Sequence, residues 1–420
     1  MSREMIASKA PWVSEYPADW KPIAFKRAIK RMATGLNPRD NFELNPPDAD
    51  IYYVTIKNFK NGEVYLDEKC DKVTPEAWKV IQERSDLHKG DLLFASISEE
   101  GNVYVLEDEP NNWNINESVF CIRVDEKWFT PEFFAYMITN QKFYSDLRSD
   151  ATGTTFLSIK QNKLKESIVL APPLLEQQAI VRYLDAKCSV IDEAIERHKK
   201  IIEKLEEYRK AHIFDAMGQC TATIPAKHVF RIYAGATPKS GESTYWDGDI
   251  AWVTPADFKT EDHYVAGGKR SITEEGYDSC NTTIVPSGSI IVSKRAPIGT
   301  VSINTTPLCT NQGCLSCVVM PNADVEFYYY ALIYKAEHMQ VLGAGTTFQE
   351  ISSNSFANMK LPYASLDEQK VIAQKLNAID TSIQAYKRKH ITIIEKLEEY
   401  RKSIIYNAVT GKLDCREAVK

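Results

Sequence analysis

No apolar run in the chain approaches the ~18 residues that a membrane-crossing helix requires. The opening segment, MSREMIASKAPWVSEYP, has no apolar signal core, so a cytoplasmic protein without a membrane partner is expected. No Gly-x-x-x-x-Gly-Lys-Ser/Thr loop is present, which excludes a P-loop ATPase. No Gly-x-Gly-x-x-Gly loop is present either, so no dinucleotide site is suggested. The seven histidines are dispersed and build no Ser/His/Asp constellation. The nine cysteines are odd in number and scattered, which reads as reduced thiols in a cytosolic setting. Cys309, Cys314 and Cys317 lack a second cysteine pair or a nearby histidine to complete a metal set, and Cys314-Leu-Ser-Cys317-Val-Val reads as a buried strand. A basic tail is missing too. The net charge is −6, residues 1–170 carry −5, residues 217–357 carry −4, and only residues 358–420 are positive, at +4. Such a balance argues against indiscriminate nucleic-acid binding, so any nucleic-acid site must be a local patch on an acidic body.

What is present is ordinary globular chemistry: 420 residues, 44% apolar and 26% charged, enough for two or three domains. Two fragments look superficially catalytic. Asn45-Pro46-Pro47-Asp48 is similar to the Asn-Pro-Pro-aromatic motif of adenine-N6 methyltransferases, but Asp48 cannot stack on a flipped base. Asp48 with Asp67 and Lys69 loosely fits a nuclease spacing, which is common in a chain this charged.

The dominant feature is duplication. Residues 201–210 and 393–402 both read IIEKLEEYRK, at an offset of 192. The same offset pairs Leu174, Glu176, Gln177, Ile180, Leu184 and Ile191 with Leu366, Glu368, Gln369, Ile372, Leu376 and Ile383. It also pairs Gly153-Thr-Thr-Phe156 with Gly345-Thr-Thr-Phe348. Upstream the copies diverge: Tyr53-Val-Thr55 with Asn58-Phe-Lys60 resembles Trp252-Val-Thr254 with Asp257-Phe-Lys259 at offset 199. Each half is therefore one diverged globular domain followed by one nearly identical helical segment.

The helical segments are legible from spacing. Leu184, Cys188, Ile191, Ile195, His198, Ile202 and Leu205 alternate steps of four and three, a heptad seam. The second copy keeps most of these positions but places Asp380 and Lys387 on the seam. The blocks Ala171-Pro172-Pro173 and Leu361-Pro362 stop the preceding strands, so helices are expected to start near Leu174 and Leu366, with Gly218 and Gly411 as stops. Each helix alone would expose its seam, so antiparallel pairing around a pseudo-twofold axis is expected, with His198 close to His390 as a semi-polar layer that helps fix register. The globular halves read as β-rich, with strands at 53–56, 92–95, 119–124, 284–291 and 315–320 and short helices at 131–147 and 325–342. Phe133, Phe134, Tyr136, Tyr328, Tyr329 and Tyr330 are read as core. The fold expected is α+β: recognition domains at 1–170 and 218–360, helical regions at 171–217 and 361–412, and a tail at 413–420.

Two diverged domains held apart by paired helices form a ruler, and duplex DNA with half-sites about one helical turn (~34 Å) apart suits such a tool. At this point the chain resembles the specificity subunit of type I restriction–modification systems. The likeness lies in the layout, two variable target-recognition domains alternating with two conserved helical regions. The Gly-Thr-Thr-Phe copies with Ile159 and Ile351, Leu-x-Glu-Gln at 174–177 and 366–369, Pro17-Ala-Asp-Trp20 and Gly90-Asp-Leu-Leu-Phe carry it. The second domain lacks the Pro-x-x-Trp entry and has Gly288-Ser289 for Gly-Asp.

The resemblance implies that each recognition domain reads one half of an asymmetric, interrupted site on double-stranded DNA. It implies two methyltransferase subunits docked on the helices and two restriction/translocase subunits joining them. S-adenosylmethionine, ATP and Mg would then belong to those partners, with no cofactor, metal or catalytic residue in this chain, whose role would be phage defence by addressing. Phosphate contacts draw on Lys, Arg and backbone N–H, and base edges on Arg, Lys, Asn and Gln. The candidate DNA contacts are Lys57, Asn58 and Lys60 matched by Asp257 and Lys259, and Ser96 and Ser98 matched by Lys294 and Arg295. Thr154, Thr155, Lys160, Thr346 and Thr347 are candidates for the DNA backbone, and the Gly-Thr-Thr segments can equally be structural joints. Lys294-Arg295 leads, because it lies between a strand and the Pro297-Ile-Gly turn. The alternatives are a coiled-coil scaffold bridging two protein partners without sequence-specific DNA binding, and a self-contained restriction or modification enzyme, which the missing motifs disfavour.

Overall fold

The computed structural model describes the chain apart from residues 1–2, 40, 61–62, 96–102, 149–158, 260–261, 345–348 and 417–420, and apart from the Lys60 side chain. The chain divides into two compact units, Met1–Arg197 with Thr392–Lys420, and His198–Ile391. Two long helices, Leu174–Gly218 and Leu366–Val409, each begin in one unit and end in the other. They start where the prolines and the Ser365 cap place them. Ser365 N donates to Glu368 Oε2 at 2.9 Å and Glu368 N donates back to Ser365 Oγ at 3.4 Å, a reciprocal cap.

In the first unit, a four-stranded sheet takes the order Val103–Val105, Leu92–Ala95, Val119–Val124, Ile29–Thr34. Its central strands are apolar on both faces because both faces are covered. Leu92, Phe94, Phe120 and Ile122 enter the core shared with the helices, whereas Leu93, Val119 and Cys121 enter a second core on the opposite face. A three-stranded sheet, Trp113–Ile115, Ile51–Val54, Lys72–Val73, forms a lobe with the helix Pro75–Ser85. Ile191 and Ile195 of the first long helix share a core with Ile404, Ile405 and Ala408 of the second.

The second unit follows the same succession. Its five-stranded sheet runs Phe230–Ala234, Cys314–Val319, Ile290–Ser293, Val301–Asn304, Tyr264–Val265, with Ile290, Val292, Leu315 and Cys317 on one core and Ile291 and Cys314 on the other. Its lobe sheet is Arg270–Ile272, Trp246–Val253, Cys309–Thr310. Within this unit His198 meets His390, Glu206 meets Lys387 and Arg209 meets Asp380, so the two helix segments run antiparallel here.

Several expected elements change in detail. The strand expected at 284–291 is confined to Ile290–Ser293, because Pro286-Ser287-Gly288 makes a turn with Gly288 at φ +81°, and Val285 keeps only a bridge to Leu308. The helix expected at 131–147 is two helices, Pro131–Thr139 and Gln141–Arg148. Asn140 is extended and serves both ends, donating to Met137 O at 2.5 Å and accepting from Phe143 N at 3.1 Å. The helix expected at 325–342 likewise divides at Lys335 into Val325–Tyr334 and Ala336–Gly343. Phe133, Phe134, Tyr328, Tyr329 and Tyr330 are fully buried. Tyr136 is half-buried and donates to Asp185 at 2.7 Å. All nine cysteines are unpaired, and among the described residues no helix is long and apolar enough to cross a membrane.

Candidate DNA interface

The two lobes carry the same polar turn at matching places. In the first, Thr55 N and Thr55 Oγ1 donate to Asn58 Oδ1 at 2.8 and 3.2 Å. In the second, Thr254 N and Oγ1 donate to Asp257 Oδ2 at 2.8 and 2.7 Å, and Lys269 N donates to Asp257 Oδ1 at 3.0 Å. The Asn58 amide also donates to Tyr65 O at 3.3 Å and to Cys70 Sγ at 2.9 Å. Both side chains are therefore held inside their turns, and among the described side chains of these turns Lys57 and Lys259 are exposed cations. Lys160 is exposed at the start of the short helix Gln161–Glu166.

Lys294 and Arg295 end the strand Ile290–Ser293 and converge on one carboxylate. Lys294 Nζ lies 2.8 Å from Glu350 Oε1, and Arg295 Nε donates to Glu350 Oε2 at 2.8 Å. The backbone braces the pair: Lys294 N donates to Gly313 O at 2.8 Å, Ile351 N donates to Lys294 O at 3.0 Å, and Arg295 bridges Glu350 antiparallel. The hydrogen bond from Lys294, joined by that from Arg295, outweighs burial and holds the Glu350 carboxyl below the usual carboxylate range. Lys294 is 11% exposed and Arg295 48%, so the two neighbours differ in what they can offer a ligand. Sequence reasoning passed over Glu350; its one signal was position, two residues beyond the second Gly-Thr-Thr-Phe. Ser96, Ser98, Thr154, Thr155, Thr346 and Thr347 lie outside the described residues, as does the Lys60 side chain. On the edge strand of the second lobe the Arg270 guanidinium lies 3.8 Å over the Trp246 ring.

Each recognition domain is fixed to the start of its long helix by one glutamine. Gln177 Nε2 donates to Trp128 O at 2.7 Å and Pro172 O at 2.9 Å, and Thr130 N donates to Gln177 Oε1 at 2.9 Å. Gln369 Nε2 donates to Ala364 O at 2.8 Å, and Asp324 N donates to Gln369 Oε1 at 2.9 Å. Thr130 and Asp324 are the N-caps of equivalent helices, so the duplicated Glu-Gln motif has a mechanical meaning. The preceding glutamates differ. Glu176 is buried and accepts from Trp20 Nε1 at 3.1 Å and from Arg3, which accounts for the Pro-x-x-Trp entry. In the second copy, which has no such tryptophan, Glu368 is exposed and caps its helix instead.

In the second unit the polar seam residues are paired within a buried network. Arg209 Nε donates to Asp380 Oδ1 at 2.5 Å, and His263 lies between Asp380 Oδ2 at 3.4 Å and Glu326 Oε2 at 2.8 Å. The His263 ring stacks on Tyr329 at 4.0 Å and on Tyr264 at 4.4 Å. Burial disfavours the Asp380 carboxylate, but hydrogen bonds from His263 and Arg209 outweigh it and bring its pKa to about 2. Burial likewise disfavours the His263 imidazolium, and the hydrogen bonds to Asp380 and Glu326 overcome it and raise its pKa. Among the described residues no group of three or more His, Cys, Asp or Glu side chains is arranged to hold a metal ion.

A family model described as the type I restriction modification DNA specificity domain matches the chain twice, over residues 36–207 and 222–396. The MjaIX type I restriction enzyme specificity subunit of Methanocaldococcus jannaschii is 35% identical over 174 residues; that alignment spans 41% of this chain and 40% of the relative. The putative MjaX type I restriction enzyme specificity subunit of the same organism is 25% identical over 431 residues, covering 96% of this chain and 95% of the relative. A chain from a solved type I restriction–modification system has the same fold at a TM-score of 0.70 and 17% identity, over 95% of this chain and 99% of that one. With the family model matched in both halves, this chain belongs to the type I restriction–modification DNA specificity family.

Proposed function

We propose that the chain is the addressing subunit of a type I complex, in which each recognition domain reads one half of an asymmetric, interrupted DNA site. The observation that carries this reading is the double family match over two halves whose loops differ while their helix anchors, Gln177 and Gln369, do not. Different loops imply different half-sites. The two long helices form an antiparallel coiled coil about a pseudo-twofold axis and set the spacing between the domains. Their identical decapeptides leave Ile201 and Tyr208, and Ile393 and Tyr400, exposed at matching positions. Matching exposed side chains suit two copies of one partner, and two methyltransferase subunits would dock there. Two restriction/translocase subunits complete the assembly. S-adenosylmethionine, ATP and Mg belong to those partners, and this chain does no chemistry of its own.

Mapping N6-methyladenine across the genome of cells expressing this chain with its methyltransferase partner, against cells lacking this chain, tests the reading. A new interrupted, asymmetric methylated motif is the expected result. No new motif, with the partner shown to be bound, would leave a scaffold that joins two proteins without reading DNA.

A further inference from the structure

The Lys294–Glu350–Arg295 triad divides its labour, and the geometry points to Arg295 as a guanine-reading residue held in aim by Glu350. This rests on the DNA-reading role proposed above and deepens it. One Glu350 oxygen is taken by Lys294 and the other by Arg295 Nε. Among the described residues the Arg295 terminal nitrogens, Nη1 and Nη2, have no partner. Among the described residues the guanidinium is thus held at one edge and unpartnered at its end, and at 48% exposure it can offer two parallel N–H donors to a ligand. Guanine O6 and N7 in the major groove are the pair of acceptors that such a fork matches.

A phosphate contact fits less well. The carboxylate that holds Arg295 would face the phosphate charge, and two like charges a few ångströms apart repel. A base edge carries no net charge, so the carboxylate can stay in place while the fork binds. Lys294 then has a different task from its neighbour. It is largely buried, and its charge is spent on Glu350, so it belongs to the brace and does not touch DNA. Glu350 is a positioning residue, acting through Arg295.

The test uses the assembled complex with its methyltransferase partners and reads two things: the methylated motif in cells, and the salt dependence of binding to the purified complex. Wild type is compared with R295K, R295A, E350Q and K294M. R295K keeps the charge and loses the fork. Both Arg295 variants are expected to lose discrimination by about tenfold or more at a single G·C pair of one half-site. The other half-site stays strict, which also shows that the variant is folded and assembled. E350Q and K294M are expected to relax the same base pair to a smaller degree, because Arg295 keeps its charge but loses its aim. A motif unchanged in R295K would overturn the inference. So would uniform weakening across all sequences with a salt slope reduced by about one, the mark of a phosphate contact. A wild-type complex that methylates no defined motif would instead remove the DNA-reading role beneath it.

Discussion

His198 and His390 meet Nδ1 to Nδ1 at 2.7 Å in the seam between the two long helices. Each imidazole nitrogen can donate or accept, but a bond between them needs one N–H and one bare nitrogen. The pair therefore works as a unit. Replacing one histidine by leucine strands the other half-buried, at a cost of about 1 kcal/mol, whereas the double leucine variant restores an apolar layer and recovers that loss. A double-mutant cycle followed by thermal unfolding measures the coupling, and strictly additive losses would disprove it.

Asp380 should be the costliest seam position to change. Asp380→Ala leaves Arg209, 4% exposed, as an uncompensated buried cation, and such losses run to about 3–5 kcal/mol. Chemical denaturation of the wild type and variant gives the value directly.

The His263 bridge makes the second unit sensitive to alkaline conditions. Its pKa is raised above the ordinary value of 6.5, so its stabilisation is complete below that value and is lost as pH rises through the folded-state value. The Asp380 contribution has the opposite sense: it is present above the unfolded carboxylate range and disappears as pH falls through about 2. Above the ordinary imidazole value of 6.5 the Asp380 contribution no longer changes, so of these two groups His263 alone varies with pH. His263→Gln should flatten the fall in stability above that value, which unfolding curves at several pH values will reveal.

Gln177→Ala and Gln369→Ala are expected to loosen their own recognition domains independently. Each removes the acceptor of a helix N-cap N–H and the donor to one or two carbonyls, worth about 2–3 kcal/mol. The two sets of partners do not overlap, so the effects should add. Hydrogen exchange at 130–134 in one variant and 324–328 in the other localises the loss.

Gly411→Ala should release the chain's beginning from its end. Gly411 sits at φ +70°, and a Cβ there would run into the Pro17 ring and the Trp20 indole. Backbone strain and overpacking together cost about 1–3 kcal/mol. The expected reading is a lower thermal midpoint and faster proteolysis near Trp20.

The periodic parts of the chain were legible without coordinates. Prolines and the heptad spacing place both helix starts, and the matched midpoints place His198 against His390. The recognition domains were legible only as β-rich. Their alternation is obscured because Val119–Val124 and Cys314–Val319 are covered on both faces, so both sets of side chains are apolar. For the candidate site, sequence placed Asn58 and Asp257 at one turn in two copies, but their side chains are turned inward. Lys294-Arg295 reads as one basic pair in the sequence, whereas in the fold both bind Glu350 and are left unequally exposed, Lys294 at 11% and Arg295 at 48%.

The sequence by itself determined the duplication, the two long helices and their register, because local spacing and chain symmetry are written in neighbouring residues. Only the tertiary structure decided which charges are spent inside the protein. Asp380 finds Arg209 and His263, Glu176 finds Arg3 and Trp20, and Glu350 finds Lys294 and Arg295 across 55 residues or more. Burial makes an unpaired charge so costly that folding selects these distant partners, and no local pattern records that choice.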